Sequence, residues 1–318
     1  MTCTKCKHAQ VKRFGYYGRK RIQRYRCHGC GATFSDPQPH PLGEHRIELP
    51  TAAQVIALMM EGVSIRAIAR LTGVHKSTIL DLLQTAGERC RKVFDERIRN
   101  VKAQVVQADE LWTFVHTKED HMSQDDPPEW GDAYIWMAIE ANTKLVISYH
   151  VGKRGPADAM AFIKDLGERV YGRLQLTTDG LREYLTAVEE TFGADIDFAQ
   201  LVKVYGRPKE AGPDWYGPAE VIAALPTPIM GDPDPWLIST SYIERANLSV
   251  RTHLRRFVRL TNGHSKKLEN LKECVAVYMA WFNFCRVHST LRVTPAVESG
   301  LTDHVWALAE LLAATNSQ

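Results

Sequence analysis

The chain has 318 residues, 44% of them hydrophobic and 24% charged, with a net charge of +3. A chain of this length and ordinary globular composition buries at least one sizeable core. Its longest unbroken apolar run, 274–282, is nine residues, well short of the roughly 18 that a membrane-spanning helix needs, so no transmembrane segment is expected. The amino terminus lacks the apolar core of a secretory signal. That predicts a cytoplasmic, reducing setting, in which cysteines serve as thiols or metal ligands. The small net charge hides an uneven distribution. Lys and Arg fill nine positions before the first acidic residue, Asp36, and 245–272 holds eight of them against Glu269 alone. Two basic tracts point to a polyanion partner, although a solvated charged face accounts for the composition equally well.

In chain order, the first feature is Cys3-x2-Cys6, twenty residues, then Cys27-x2-Cys30. This spacing closes a tetrahedral four-thiolate zinc site from two short knuckles, with Gly29 and Gly31 giving one turn its backbone freedom. A disulfide pair is the competing reading, and His8 or His28 in place of a cysteine stays open. The strand-like residues between, 14–26, predict a small ribbon. On it Lys12, Arg13, Arg19, Lys20, Arg21, Arg24 and Arg26 interleave with Phe14, Tyr16, Tyr17 and Tyr25, a surface suited to phosphates. Pro37, Pro39, Pro41 and Pro50 then read as an extended linker. A helix over 52–61 follows. Gly62-Val63-Ser64 forms a turn whose Ser64 caps a second helix, 65–72, and Gly73 ends it. A third helix opens on polar His75, Lys76, Ser77 and Thr78 and continues with apolar Ile79, Leu82 and Leu83. That is the arrangement of a helix-turn-helix whose recognition helix contacts DNA through those four polar residues. A plain three-helix dimerisation bundle is the alternative.

From 104 to 205, strand-like runs at 104–115, 133–141, 145–151 and 174–178 alternate with helices, which predicts a mixed sheet flanked by helices. Seven of the fifteen prolines lie in 206–236, expected as a long insertion or loop outside the core. The last part is helical, and Leu268, Leu271, Val275, Tyr278, Phe282 and Cys285 recur at the spacing of one buried face. Cys90, Cys274 and Cys285 are simplest as buried thiols. No internal repeat is present.

Strand alternation puts Asp109 and Glu110 on opposite faces, so only one of the two is expected at a given metal site. Asp179 follows an apolar strand and precedes Gly180, a strand's carboxyl end, where open sheets place their sites. Glu244 opens a helix on which Arg251 and Arg255, seven and eleven residues on, share its face. Phosphodiester chemistry wants such carboxylates: hard oxygens hold two Mg2+ or Mn2+ ions roughly 4 Å apart, one at the attacking and one at the leaving oxygen. Spacing alone does not select these three from the 37 acidic residues. Glu210 and Glu220, in the proline-rich stretch, compete with Glu244 from a weaker position, because neither lies in a helical pattern.

The stretches Gln107-Ala108-Asp109-Glu110-Leu111-Trp112, Thr177-Thr178-Asp179-Gly180 and Tyr242-Ile243-Glu244-Arg245-Ala246-Asn247 resemble those of IS1-like bacterial insertion-sequence transposases, within the DDE transposase and integrase superfamily. Arg256-Phe257-Val258-Arg259-Leu260-Thr261-Asn262, Ser265-Lys266-Lys267 and Asn283-x2-Arg286-x-His288-x2-Leu291-x2-Thr294-Pro295 match as well. The resemblance covers nearly the whole chain. It implies an α/β, RNase H-like mixed sheet flanked by helices, preceded by a zinc ribbon and a helix-turn-helix. It also implies Asp109, Asp179 and Glu244 as the Mg2+-binding triad, and it implies hydrolysis at the element's ends followed by attack of the 3'-hydroxyls on target DNA. Terminal inverted repeats and target duplex are then the partners, for a homo-oligomer in the synaptic complex of a bacterial, nucleoid-associated protein. The expected division is a zinc ribbon at 1–36, a linker at 37–50, a helix-turn-helix at 51–100, and a catalytic domain at 101–298 with its insertion at about 206–238. A helical tail occupies 299–318. A non-enzymatic DNA-binding regulator and an RNase H-like nuclease without strand transfer are the competing functions, and the role of Arg286 and His288 stays open.

Overall fold

The computed structural model describes residues 2–17, 21–35, 42–43, 45–206, 220–258 and 261–314. Arg19, Lys20, residues 37–41 and 44 of the expected linker, and Glu210 lie outside the described residues, and of Glu220 only the backbone is described. The chain divides into two compact units, Met1–Glu44 and His45–Gln318.

The first unit is a three-stranded antiparallel sheet, β1 (Val11–Tyr17), β2 (Ile22–Cys27) and β3 (Thr33–Ser35), in that order. Its described residues include only Cys3, Cys27 and Leu42 as buried side chains. So small an apolar interior cannot offset the ordering of forty residues, which leaves the cysteine cluster to hold the ribbon together.

The second unit opens with α1 (Leu49–Met60), α2 (Ile65–Thr72) and α3 (Lys76–Arg97). Pro50 lies in the first turn of α1 rather than in the linker expected there, a position where its missing N–H costs nothing. Ser64 Oγ accepts from the Ala67 N–H at 3.3 Å, and Gly73 ends α2 at φ 72°; both caps are as expected. Ile79, Leu82 and Leu83 are fully buried. α3 runs on for 22 residues.

After it come β4 (Val105–Val115), β5 (Gly131–Glu140), β6 (Val146–Gly152), α4 (Pro156–Arg169), β7 (Leu174–Thr178), α5 (Glu183–Phe192), β8 (Ile196–Gly206) and β9 (Glu220–Met230). The sheet order is β6-β5-β4-β7-β8-β9. β6, β5 and β4 pair antiparallel, β7 and β8 run parallel to β4, and β9 returns antiparallel on β8. This is the expected RNase H-like mixed sheet flanked by helices. Part of the proline-rich stretch expected as an insertion is therefore strand. β9 is outermost among the described strands, an edge position where prolines such as Pro226 and Pro228 are tolerated.

α4 and α5 cover one face of the sheet. Trp136 of β5 packs there against Phe162 at 6.0 Å and Tyr184 at 5.5 Å between ring centroids. α6 (Ser241–His253) lies on the other face, and α7 (Leu268–Phe284) packs against α3 and β6. The periodicity of α7 predicts one buried face, but between Leu271 and Phe284 only Lys272 is exposed. A helix buried nearly all round is a central core element. Asn283, inside it, clamps the β6 edge by accepting from the Val146 N–H at 3.0 Å and donating to the Val146 carbonyl at 2.8 Å. Two short helices, α8 (Pro295–Glu298) and α9 (Leu308–Ala313), close the chain. Leu311 and Leu312 of α9 are fully buried, and Arg89 donates to the Leu312 carbonyl at 2.9 Å, so the tail is core rather than appendage. Among the described residues no helix is long and apolar enough to cross a membrane.

Candidate functional site

In the ribbon, the sulfurs of Cys3, Cys6, Cys27 and Cys30 all lie within 4.8 Å of one another. The Cys3–Cys30 and Cys6–Cys27 pairs stand at 3.7 and 3.6 Å, which rules out the disulfide reading among these four thiols. A tetrahedral ion with Zn–S bonds of about 2.3 Å requires sulfurs roughly 3.8 Å apart, so the donor set fits such a metal. The group comprises the four cysteines and neither His8 nor His28. On the ribbon surface Arg21, Arg24 and Arg26 lie over Tyr16, Tyr17 and Phe14 at 5.1 to 5.9 Å, leaving an exposed face of cations and rings.

The second candidate centre lies in the sheet. β4 and β7 pair only from Val105↔Gln175 to Gln107↔Thr177. Beyond that point β7 has ended and Asp179 sits beside the open flank of β4. Asp179 Oδ1 accepts from the Leu181 N–H at 3.0 Å, which fixes the carboxylate at the strand tip. Asp109 and Glu110 do point to opposite faces, the first toward α6 and the second toward α5. Yet one oxygen from each of Asp109, Glu110 and Asp179 lies within 4.8 Å of the others. The expectation that only one of the adjacent acids can reach the site is corrected. Alternation fixes which face a side chain leaves from, but past the end of β7 both can bend round the strand to the same flank.

Crowding these acids has an electrostatic consequence. Burial first, then the charge of Asp179, push Asp109 up to about 6. Burial, Asp179 and Asp109 push Glu110 up to about 7 against the opposing pull of Arg154. Asp179 is raised as well, chiefly by burial. Arg154 donates to Glu110 at 2.7 and 2.8 Å and reaches within 3.8 Å of Asp179, and Tyr184 donates to Glu110 at 3.1 Å. Raised carboxyl pKa values mean that the cluster favours a compensating cation, and its all-oxygen donor set suits a hard divalent ion. Asn247 Nδ2 donates to Asp109 at 2.8 Å, while Oδ1 of the same amide is buried with no hydrogen-bond partner among the described residues. This leaves one more oxygen beside the cluster with unused acceptor capacity.

Glu244 is not part of that group of three. It lies in the first turn of α6, where Lys203 and Thr240 both donate to its Oε1 at 2.5 Å. Burial raises its pKa, and these hydrogen bonds outweigh burial, so the net shift is downward. Its charge is nevertheless felt at Asp109. α6 is held over β4 by Gln107, whose Oε1 accepts from the N–H groups of Tyr242 at 2.8 Å and Ile243 at 3.2 Å. Gln107 thus satisfies two of the donors that a helix start leaves open. Arg251 remains on α6, but Arg255 does not. Buried Leu254 adopts an extended backbone and ends the helix at His253, so Arg255 belongs to a following short turn. The single helical track from Glu244 to Arg255 is corrected accordingly.

His75, Lys76 and Ser77 are exposed at the start of α3 and Thr78 is half-buried. His75 Nδ1 caps the helix by accepting from the Ser77 N–H at 3.3 Å. Arg286 stacks on Trp281 and Phe282 at 5.7 and 5.8 Å. His288 closes the following turn through backbone bonds to Val293 and Arg292. Sequence reasoning missed Gln107, Asn247, Arg154 and Lys203. Asn247 was within reach of it, three residues after Glu244 on the same helix face; the other three acquire their roles only from tertiary contacts.

No protein-family model matches the chain, nor does any curated protein. Among solved structures it is similar to the Mos1 strand transfer complex, at 15% identity over 51% of this chain and 60% of that chain, TM-score 0.20. It is also similar to the piggyBac transposase synaptic complex with hairpin DNA, at 11% identity over 84% and 69%, TM-score 0.36. A third similar structure is the Mos1 transposase paired-end complex with left transposon end, at 14% identity over 51% and 62%, TM-score 0.21. The chain spans about 60% of the length of these Mos1 chains.

Proposed function

We propose that the protein is a metal-dependent DNA transposase that binds the ends of an insertion sequence, cuts them and joins their 3'-hydroxyls to target DNA. The observation that carries this is the convergence of Asp109 and Asp179, with Glu110, where β7 ends beside β4. The sequence motifs around Asp109, Asp179 and Glu244 support the same reading. Asp109, Asp179 and Glu244 are the proposed ligands of two Mg2+ or Mn2+ ions, and the nearness of Glu110 to Asp109 and Asp179 makes it a further candidate. When bound, the ions supply Lewis acidity at the attacking and leaving oxygens of a phosphodiester. The chain's own residues do the holding: Gln107 anchors the helix bearing Glu244, Asn247 orients Asp109, and Arg154 and Lys203 balance the carboxylates' charge. DNA engagement is assigned to His75, Lys76, Ser77 and Thr78 of a helix-turn-helix, to the zinc-bound ribbon, and to Arg251 and Arg255. The protein is assigned to the bacterial cytoplasm at the nucleoid, acting on DNA as a homo-oligomer. The test is nicking of a duplex bearing the element's terminal repeats with and without Mg2+. The parent is expected to nick only with the ion, and Asp109→Ala and Asp179→Ala to lose activity by several orders of magnitude. Retention of the repeats without cleavage points instead to a DNA-binding regulator. Cleavage without joining of precut ends points to a nuclease.

A further inference from the structure

A second feature of the larger unit lies away from the carboxylates. A cavity of about 880 Å³ opens between the three amino-terminal helices and residues 254–256 and 261–266. Ser64, Arg66, Arg255, Arg256, His264 and Lys266 line it, and no carboxylate is among its described lining residues. Arg66, Arg255 and Lys266 are exposed, and none makes a salt bridge among the described residues. The contrast with the other large cavity, of about 610 Å³ beside α3, α4 and α7, is informative. There Arg91 pairs with Glu273, and Arg169 with Asp95 and Asp165. Among the described residues the first cavity gathers cations with no carboxylate facing them, an arrangement suited to an anionic occupant.

Its walls are fixed. A Cβ on Gly62, at φ 72°, would stand 3.2 Å from the Thr252 carbonyl, which shows how closely the α1–α2 turn abuts the end of α6. Arg256 donates to Ser265 Oγ at 2.8 Å. Ser265 is buried, and its carbonyl accepts from the His116 N–H at 2.9 Å, tying the segment to the end of β4. Of the first-turn N–H groups of α2, that of Ala67 is taken by Ser64 Oγ, and the positive end of the helix dipole faces the same wall.

We propose that this cavity is a phosphate-binding site that takes a backbone phosphate of duplex DNA. The assignment of DNA as occupant rests on the proposed function. The segment is tied to β4 six residues beyond Asp109, roughly 20 Å along a strand. A phosphate held there lies within one turn of duplex, about 34 Å, of a phosphate at the carboxylates. The site would thus couple the amino-terminal helices to the cutting centre on one stretch of DNA.

The test compares the full chain with Arg66→Ala/Lys266→Ala and with the charge-keeping Arg66→Lys/Lys266→Arg. Duplex affinity is followed by fluorescence anisotropy between about 50 and 200 mM salt. The alanine pair is expected to bind on the order of tenfold more weakly and to lower the slope of log affinity against log salt by about 2, near 0.9 for each cation removed. The charge-keeping pair is expected to retain the parent's slope. In parallel, thermal stabilisation by inorganic phosphate is measured for all three proteins. An unchanged duplex slope together with lost phosphate stabilisation overturns DNA as occupant and assigns the site to a free phosphate. No change in either readout overturns the site altogether. If the parent shows the predicted slopes but no Mg2+-dependent cleavage, the proposed function falls and the phosphate site stands.

Discussion

Asp109 and Glu110 illustrate how much a single buried charge can govern. In the folded chain they sit at about 6 and 7, against ordinary values of 3.8 and 4.5. The folded, metal-free protein therefore holds protons that the unfolded chain has released. The destabilisation these two groups cause is absent below the ordinary carboxylate range and grows as pH rises through about 4 to 7. Asp109→Asn removes one of the crowded charges. In chelator at pH 8 the variant is expected to be more stable than the parent by on the order of 1 kcal/mol, with the difference vanishing near pH 4. Melting temperature against pH checks this, and parallel profiles for the two proteins would refute it. The same substitution should cost the protein its divalent-ion affinity, so that stability gained without metal is bought with lost function.

The elements were legible in the sequence where their signals are local. Ser64 and Gly73 bound α2 because a hydroxyl cap and a left-handed glycine act within one turn. The runs behind β4, β5, β6 and β7 stand out because they are rich in apolar and β-branched residues. What escaped depends on neighbours distant in sequence. β9 hides among prolines because only its place at the sheet's edge makes them tolerable. α7 shows a one-sided period, whereas α3 and β6 together enclose it. Arg255 is in helical register with Glu244, but burial of Leu254 ends α6 first. Asp109 and Asp179 were selected by motif and strand setting, whereas the approach of Glu110 needed the early end of β7. α6 offers a direct test at this scale. Gln107→Leu leaves the Tyr242 and Ile243 N–H groups without their acceptor and is expected to destabilise the protein by about 1–3 kcal/mol in urea unfolding. Divalent-ion binding should weaken with it, because Glu244 and Asn247 ride on that helix. An unchanged urea midpoint would show that α6 is held by other contacts.

At the scale of the whole molecule the two units depend on different forces. His45–Gln318 has a core built from a sheet covered on both faces, whereas the described residues of Met1–Glu44 bury only Cys3, Cys27 and Leu42. Chelation of zinc is therefore expected to abolish the ribbon's amide dispersion in NMR while the melting transition of the larger unit stays in place. A ribbon spectrum unaffected by chelation would mean that the cysteines play no structural part. Among the described residues, cations gather without facing carboxylates on the ribbon's face and in the cavity lined by Arg66 and Lys266, which suits the proposed function. That centre is the core of the account, and calorimetric titration of the full chain with Mn2+ tests it most directly. The parent is predicted to bind the ion with release of protons near neutral pH, and Asp109→Asn and Asp179→Asn each to abolish that binding while remaining folded. Equal Mn2+ binding by the parent and both variants would contradict it.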